Sequence, residues 1–414
     1  MALLASTAAQ RIALFETFLI AALCFYGLAS VLYFRVFAEG LIPALSIGAL
    51  LYFIGKAAQM RAVPGWQIRA PHALLASVVL LPALSLLGQS ALNLSVVDLD
   101  GRSSINYVAS FWGVGALWCL SGAAIAAAWV PPSRLGAGAI LLGLLGLLWV
   151  ATDGLLVVHY GRLSDGLGGV RFSHLNTSDY AVFVLALAYG LAVGWLRIVV
   201  VLAAVVVLFG LGGRTALICF ITAAVGHQAF FVANSARARL LASLALVLVL
   251  VPAILTLAQS GAADLAGKDL LFTEGYSSDS SVLARLDHIL LGGEDLFRQA
   301  LFGDPSLIAK RFNSMGSYMH NLLSAWQFYG VVFFAVLLFS LFGCMRFAMG
   351  HARLFLDPVT VTFAVLLTYV VFAVLIGRAV NFYLLWLVLG FWLERWALCS
   401  SSRTMAFLDP SLDT

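Results

Sequence analysis

The 414 residues are 63% hydrophobic and only 10% charged, with a mean hydropathy of +1.03, a balance that excludes an ordinary water-soluble globule. A formal net charge of +4 is too small to imply nucleic acid as a partner. The five cysteines, Cys24, Cys119, Cys219, Cys344 and Cys399, stand singly in apolar segments, without the spacing of a disulfide framework or a metal site, and read as core thiols.

Apolar stretches long enough to cross a hydrocarbon core fall near 13-34, 40-55, 72-92, 106-130, 135-158, 177-196, 198-213, 215-234, 239-259, 320-345, 359-376 and 380-396. The expected fold class is an all-α polytopic membrane protein of about twelve spans. The first apolar segment is long enough to span and no small-residue cleavage site follows it, so it reads as a signal anchor. Lys56, Arg61 and Arg69, then Arg134, Arg197, Arg237 and Arg239, and Arg346 and Arg353 occupy alternate connections, which assigns those connections and both termini to the cytoplasm. Glu39, Asp98, Asp100, Asp165 and one long polar segment fall on the other side. The expected organisation is N-terminal spans over 1-259, an extracytoplasmic loop with an amphipathic helix over 260-319, and C-terminal spans with a short cytoplasmic tail over 320-414.

In chain order, the first polar motif is Asp98 and Asp100 in "VVDLDGRSS", a D-x-D that can hold a metal-bound nucleotide-sugar but that reads more simply as a turn before glycine. Asp153 is a candidate intramembrane carboxylate. Arg171 precedes a span in "GGVRFSHLNTSDYA", where Asn176 or Thr177 is placed to cap the helix. In "VLFGLGGRTALICF", Gly212 and Gly213 release one helix and Arg214 opens the next. Exposed backbone N–H groups, glycines that permit close approach and a guanidinium make a site for an anion such as a phosphate. An arginine that only anchors a helix end is the competing reading of the same residues.

The long outer segment carries Arg285 on an amphipathic stretch, with Val282, Leu283, Leu286, Ile289 and Leu290 at helical spacing. In "GSYMHNLLSAWQFYG", His320 stands where that segment turns into a span, and a helix begun there puts Ser324 and Gln327 on the face of the histidine. A helix N-terminus disfavours an imidazolium, so His320 is a candidate general base, with Asn321 to orient the ring or cap the helix. Arg378 in "LIGRAVNFYLL" repeats the Gly-Arg arrangement at what reads as another outer helix start.

These pieces resemble the O-antigen polymerase and O-antigen ligase family, bacterial membrane enzymes acting on polyprenyl-diphosphate-linked glycans at the outer face of the inner membrane. The likeness rests on the order of "RFSHLNTSDYA", "GGRTAL", a late loop with "LARLDH" and "LFGD", and "HNLLSAWQFYG", over roughly residues 165-345. It implies a GT-C-like fold, a metal-independent inverting transfer without cofactor, and catalytic roles for Arg214, Arg285 and His320. Gly212, Gly213, Arg171, Arg378 and Asn321 are then expected to bind substrate. The implied partners are a lipid-linked glycan donor and, as acceptor, either a second lipid-linked repeat unit for a polymerase or the lipid A core for a ligase. The "VVFF" after Gly330 leans toward polymerase. A glycolipid flippase or other transporter remains the reading from a different class, although no pair of related halves is visible.

Overall fold

The computed structural model describes residues 70-92, 98-99, 102-128, 174-211, 213-228, 301-306, 319, 321-351 and 357-400, together with Leu51, Gly55, Gly293, Leu296 and Phe297. In chain order these form α1 (Ala70–Ala91), a ladder of β1 (Asp98–Leu99) and β2 (Arg102–Ser103), α2 (Ser104–Ala128), α3 (His174–Leu191) and α4 (Leu196–Gly210). After these come α5 (Arg214–Gly226), α6 (Leu323–His351), α7 (Pro358–Ile376) and α8 (Tyr383–Cys399). Among the described residues four helices, α1, α2, α6 and α7, are long and apolar enough to cross a membrane. The protein is therefore α-helical and membrane-embedded. The expected spans 13-34, 135-158 and 239-259, nearly all of 40-55, and Asp153 lie outside the described residues.

The departure from an all-helical chain is local. Asp98 pairs with Ser103 and Leu99 with Arg102 in an antiparallel ladder flanking Asp100-Gly101, a two-residue combination that favours a hairpin turn. Asp98, the first aspartate of the motif, is thus held in a strand pairing, and Asp100 lies outside the described residues. Helix α3 begins at His174, so Asn176 and Thr177 lie inside its first turn rather than at its cap.

The described helices divide between two compact units. The first contains α3, α4, α5 and α7 as far as Tyr369. Helix α3 is buried from Ala181 to Ala188, and Gly190 leaves room for the Pro358 carbonyl and the Thr362 hydroxyl of α7. Asp357 caps α7 by accepting from the Thr360 N–H at 2.9 Å and the Thr360 hydroxyl at 2.6 Å. At the C-terminal end of α3, the Tyr189 hydroxyl meets His227 Nδ1 at 3.3 Å and the Arg197 guanidinium lies 5.3 Å from the Tyr189 ring centre.

The second unit contains α1, the hairpin, α2, α6 through Ala348, the rest of α7, and α8. Small residues let α2 and α8 touch backbone to backbone: a β-carbon on Gly122 would strike the Leu387 carbonyl, and one on Gly390 would strike that of Cys119. Trp386 packs on Gly115, stacks on Phe333 at 6.1 Å between ring centres, and donates its indole N–H to the Val380 carbonyl at 2.7 Å. Phe347 stacks on Trp396 at 6.0 Å, which fixes α6 against the far end of α8. Near the same end, Glu394 is fully buried with His72 of α1 at 3.6 Å.

Candidate functional site

In the first unit, the Gly-Gly-Arg motif does open a helix. Gly213 is the N-cap of α5 with φ −86° and ψ 65°, and Arg214 is its first helical residue. The Gly213 N–H closes α4 on the Leu208 carbonyl at 3.0 Å, and its own carbonyl accepts from Leu217 at 2.8 Å. Gly213 therefore contributes the absence of a side chain, not a donor, because the Ser178 hydroxyl of α3 occupies the space a β-carbon would need. The backbone N–H groups left for an anion are those of the first turn beginning at Arg214. One residue beyond Ser178, the buried Asp179 accepts from the Tyr369 hydroxyl at 2.9 Å, tying α3 to α7 near the helix start.

In the second unit, the candidate site is the head of α6. The helix starts at Leu323, three residues after His320, because Asn321 caps it: its Oδ1 accepts from the Leu323 N–H at 3.0 Å. Ser324, fully buried, donates to the Asn321 carbonyl at 2.7 Å and accepts from the Val380 N–H at 2.7 Å. Gln327, also fully buried, takes the Met319 N–H on its Oε1 at 3.0 Å. Met319 and Asn321, the residues on either side of His320, are thereby held from two positions of one helix face.

Helix α6 is broken soon after it starts. Gly330 has φ 83° and ψ 172°, a combination only glycine adopts readily. The carbonyls released there find partners elsewhere: Gln89 of α1 donates its Nε2 to Phe328 at 2.9 Å, and Ser85 donates to Tyr329 at 2.6 Å, while the same Gln89 Nε2 also reaches the Phe302 carbonyl of segment 301-306 at 2.6 Å. Segment 301-306 docks into the break, with the Asp304 N–H on the Gln327 carbonyl at 2.8 Å. Asp304 is itself fixed by accepting from the Ser306 N–H at 2.9 Å and hydroxyl at 2.7 Å. Gly303, at φ 77°, would place a β-carbon 2.6 Å from that same Gln327 carbonyl.

Arg378 requires a correction. It does not open a helix; it closes α7, its N–H bonding the Ala373 carbonyl at 2.8 Å in the connection before α8, with its guanidinium carbon 5.8 Å from the Phe382 ring centre. Gly377 ends the preceding helix instead of releasing a new one, since its N–H still reaches Ala373 at 2.9 Å. Ser324 nonetheless joins this connection to the Asn321 cap, so these two expected residues belong to one neighbourhood. His320, Arg285, Arg171 and Gly212 lie outside the described residues, as does the side chain of Arg214.

Sequence reasoning passed over Gln89, Asp179 and Asp304. Gln89 was detectable as an amide in the apolar run "SLLGQSAL", and Asp179 as a carboxylate on the inner side of the "NTSDYA" helix start. Asp304 carried no signal, because what makes it structural is a backbone contact 23 residues away in sequence, with Gln327. Among the described residues no group of three or more His, Cys, Asp or Glu is placed to hold a metal ion. Comparison with protein-family models and with curated proteins finds no match for this chain.

Proposed function

We propose that this protein is a membrane glycosyltransferase that moves a polyprenyl-diphosphate-linked glycan to a sugar hydroxyl, as a polysaccharide repeat-unit polymerase. What carries the reading is the head of α6, where the Asn321 cap and the Gln327 amide hold both neighbours of His320 at the entry to an apolar helix. In this reading the protein has about twelve spans in a GT-C-like arrangement, sits in the bacterial inner membrane, and works at the periplasmic face. His320 takes the proton from the acceptor hydroxyl. Arg214, at the start of α5, stabilises the diphosphate as it departs, with Arg285 closing over the donor from the outer segment. Attack from the side opposite the diphosphate inverts the anomeric carbon, and no metal is needed because guanidinium groups take the leaving charge.

The break in α6 is the observation that favours transport, since transporters bind substrate at discontinuous helices near the midplane. Gly330 lies seven residues into a helix of 29, about 10 Å from its start, which is short of the middle of a bilayer. Deleting the gene separates the readings. Single repeat units on lipid A core support the polymerase, and polymer retained on its lipid carrier indicates the ligase. Repeat units trapped on the cytoplasmic leaflet indicate transport and would overturn the enzyme reading.

A further inference from the structure

Two buried donor groups at the head of α6 have no acceptor among the described residues. Gln327 is fully buried, and its orientation is set by chemistry, because only its carbonyl oxygen can accept from the Met319 N–H. Its Nε2 donors are left without a partner, as is the buried indole Nε1 of the adjacent Trp326, among the described residues. An unsatisfied donor in an apolar surround is costly, and two in succession ask for a ligand with acceptor oxygens.

The surroundings narrow the class of ligand. The Trp326 ring meets Phe297 at 5.2 Å and 78° and Phe334 at 5.7 Å and 31°, and packs with Leu323 on the Leu296 and Met319 core. Phe297 is 72% exposed, so the aromatic cluster opens to the outside on that flank. An aromatic cluster beside buried N–H donors suits a pyranose, which presents C–H faces and hydroxyl or ring oxygens together.

We propose that Trp326 and Gln327 form the acceptor-sugar subsite, their Nε1–H and Nε2–H groups receiving oxygens of the sugar whose hydroxyl His320 activates. This rests on the glycosyl-transfer reading and assigns one of its two substrates to one element. The two donors follow His320 by six and seven residues, on the helix whose cap holds the segment before it.

The test uses the purified full-length protein in detergent, with two variants that each remove a donor and little else. Trp326→Phe keeps the ring and loses the N–H; Gln327→Glu keeps an oxygen for Met319 and loses the amide donors. The probe is the repeat-unit oligosaccharide released from the host's own lipid-linked glycan, titrated by calorimetry, beside transfer assays with the intact lipid-linked donor. Each variant is expected to weaken oligosaccharide binding and raise the acceptor KM by about tenfold, with the donor KM unchanged. Equal binding and equal acceptor KM in parent and Trp326→Phe, with the variant folded, overturn the subsite, as they would if ordered water alone satisfied these donors. Should Gln327→Glu fail to fold, Trp326→Phe decides alone. Oligosaccharide binding that Trp326→Phe weakens in a protein that transfers nothing supports the subsite while removing the glycosyl-transfer reading. A parent protein that binds no oligosaccharide overturns the subsite outright.

Discussion

Arginine and lysine carry the same charge but present it differently, and Arg214 is where the difference becomes measurable. A guanidinium offers a planar fork to two phosphate oxygens, whereas an ammonium is a point charge. Arg214→Lys is therefore expected to lose most activity at normal protein levels, and polymer of near-parent length in Arg214→Ala cells would remove Arg214 from the reaction. His320 makes a second prediction at this scale. Removing a positioned general base typically costs about 10²–10⁴-fold, so His320→Ala is expected to be nearly inactive yet to bind donor. The parent rate should fall as acidification protonates the imidazole, because only the neutral ring accepts a proton. A folded His320→Ala enzyme turning over near the parent rate, or a parent profile with no acid limb, would falsify the assignment. Asn321→Ala should cost on the order of 1 kcal/mol of stability through the lost cap, with a smaller effect on turnover.

At the scale of the element, the informative feature is the break in α6. A continuous helix would carry the Phe328 and Tyr329 carbonyls in its own ladder, but at Gly330 they turn to Gln89 and Ser85 of α1. The conformation has φ 83°, and a β-carbon there would also meet the Leu301 carbonyl, so alanine is opposed by both strain and collision. Gly330→Ala is expected to destabilise the protein by about 1–3 kcal/mol from backbone strain alone. Thermal unfolding in detergent measures the loss, and a melting temperature equal to that of the parent would show the helix to be continuous in solution. Gln89→Leu should act in the same direction, because it strips a partner from the buried Phe328 carbonyl and from the partly buried Phe302 carbonyl.

At the scale of the whole molecule, close packing in the second unit depends on glycines facing backbone. Association of membrane helices relies on van der Waals contact and not on exclusion of water, so a lost close approach is not recovered elsewhere. Gly390→Ala must push α8 away from the Cys119 carbonyl and is expected to cost roughly 1–3 kcal/mol, while Gly113→Ala, with open space around it, serves as the neutral control. Equal melting temperatures for the two variants would contradict the packing account. Both substitutions lie in helices outside the head of α6, so their effects should appear in folded yield and not in substrate affinity.

Three features of this protein follow from sequence alone, and each is local. Hydropathy decides that the chain is helical and membrane-embedded, because a backbone in lipid must satisfy its own hydrogen bonds. The paired glycines before Arg214 decide that a helix starts there, since flexible backbone ends one helix and the next begins at the first good helix former. The Asn-x-Leu start of α6 decides its cap, since the side chain reaches an N–H two residues on. Tertiary structure decided the rest. Gly377 and Gly213 both precede an arginine, yet one closes a helix and the other opens one, and only the neighbours of each distinguish them. Gly330 is a helix break and not an ordinary helical glycine because segment 301-306 and Gln89 come from far along the chain to occupy the break. Hydrophobic periodicity records which face of a helix is apolar; it carries no record of which distant carbonyl a buried amide will meet.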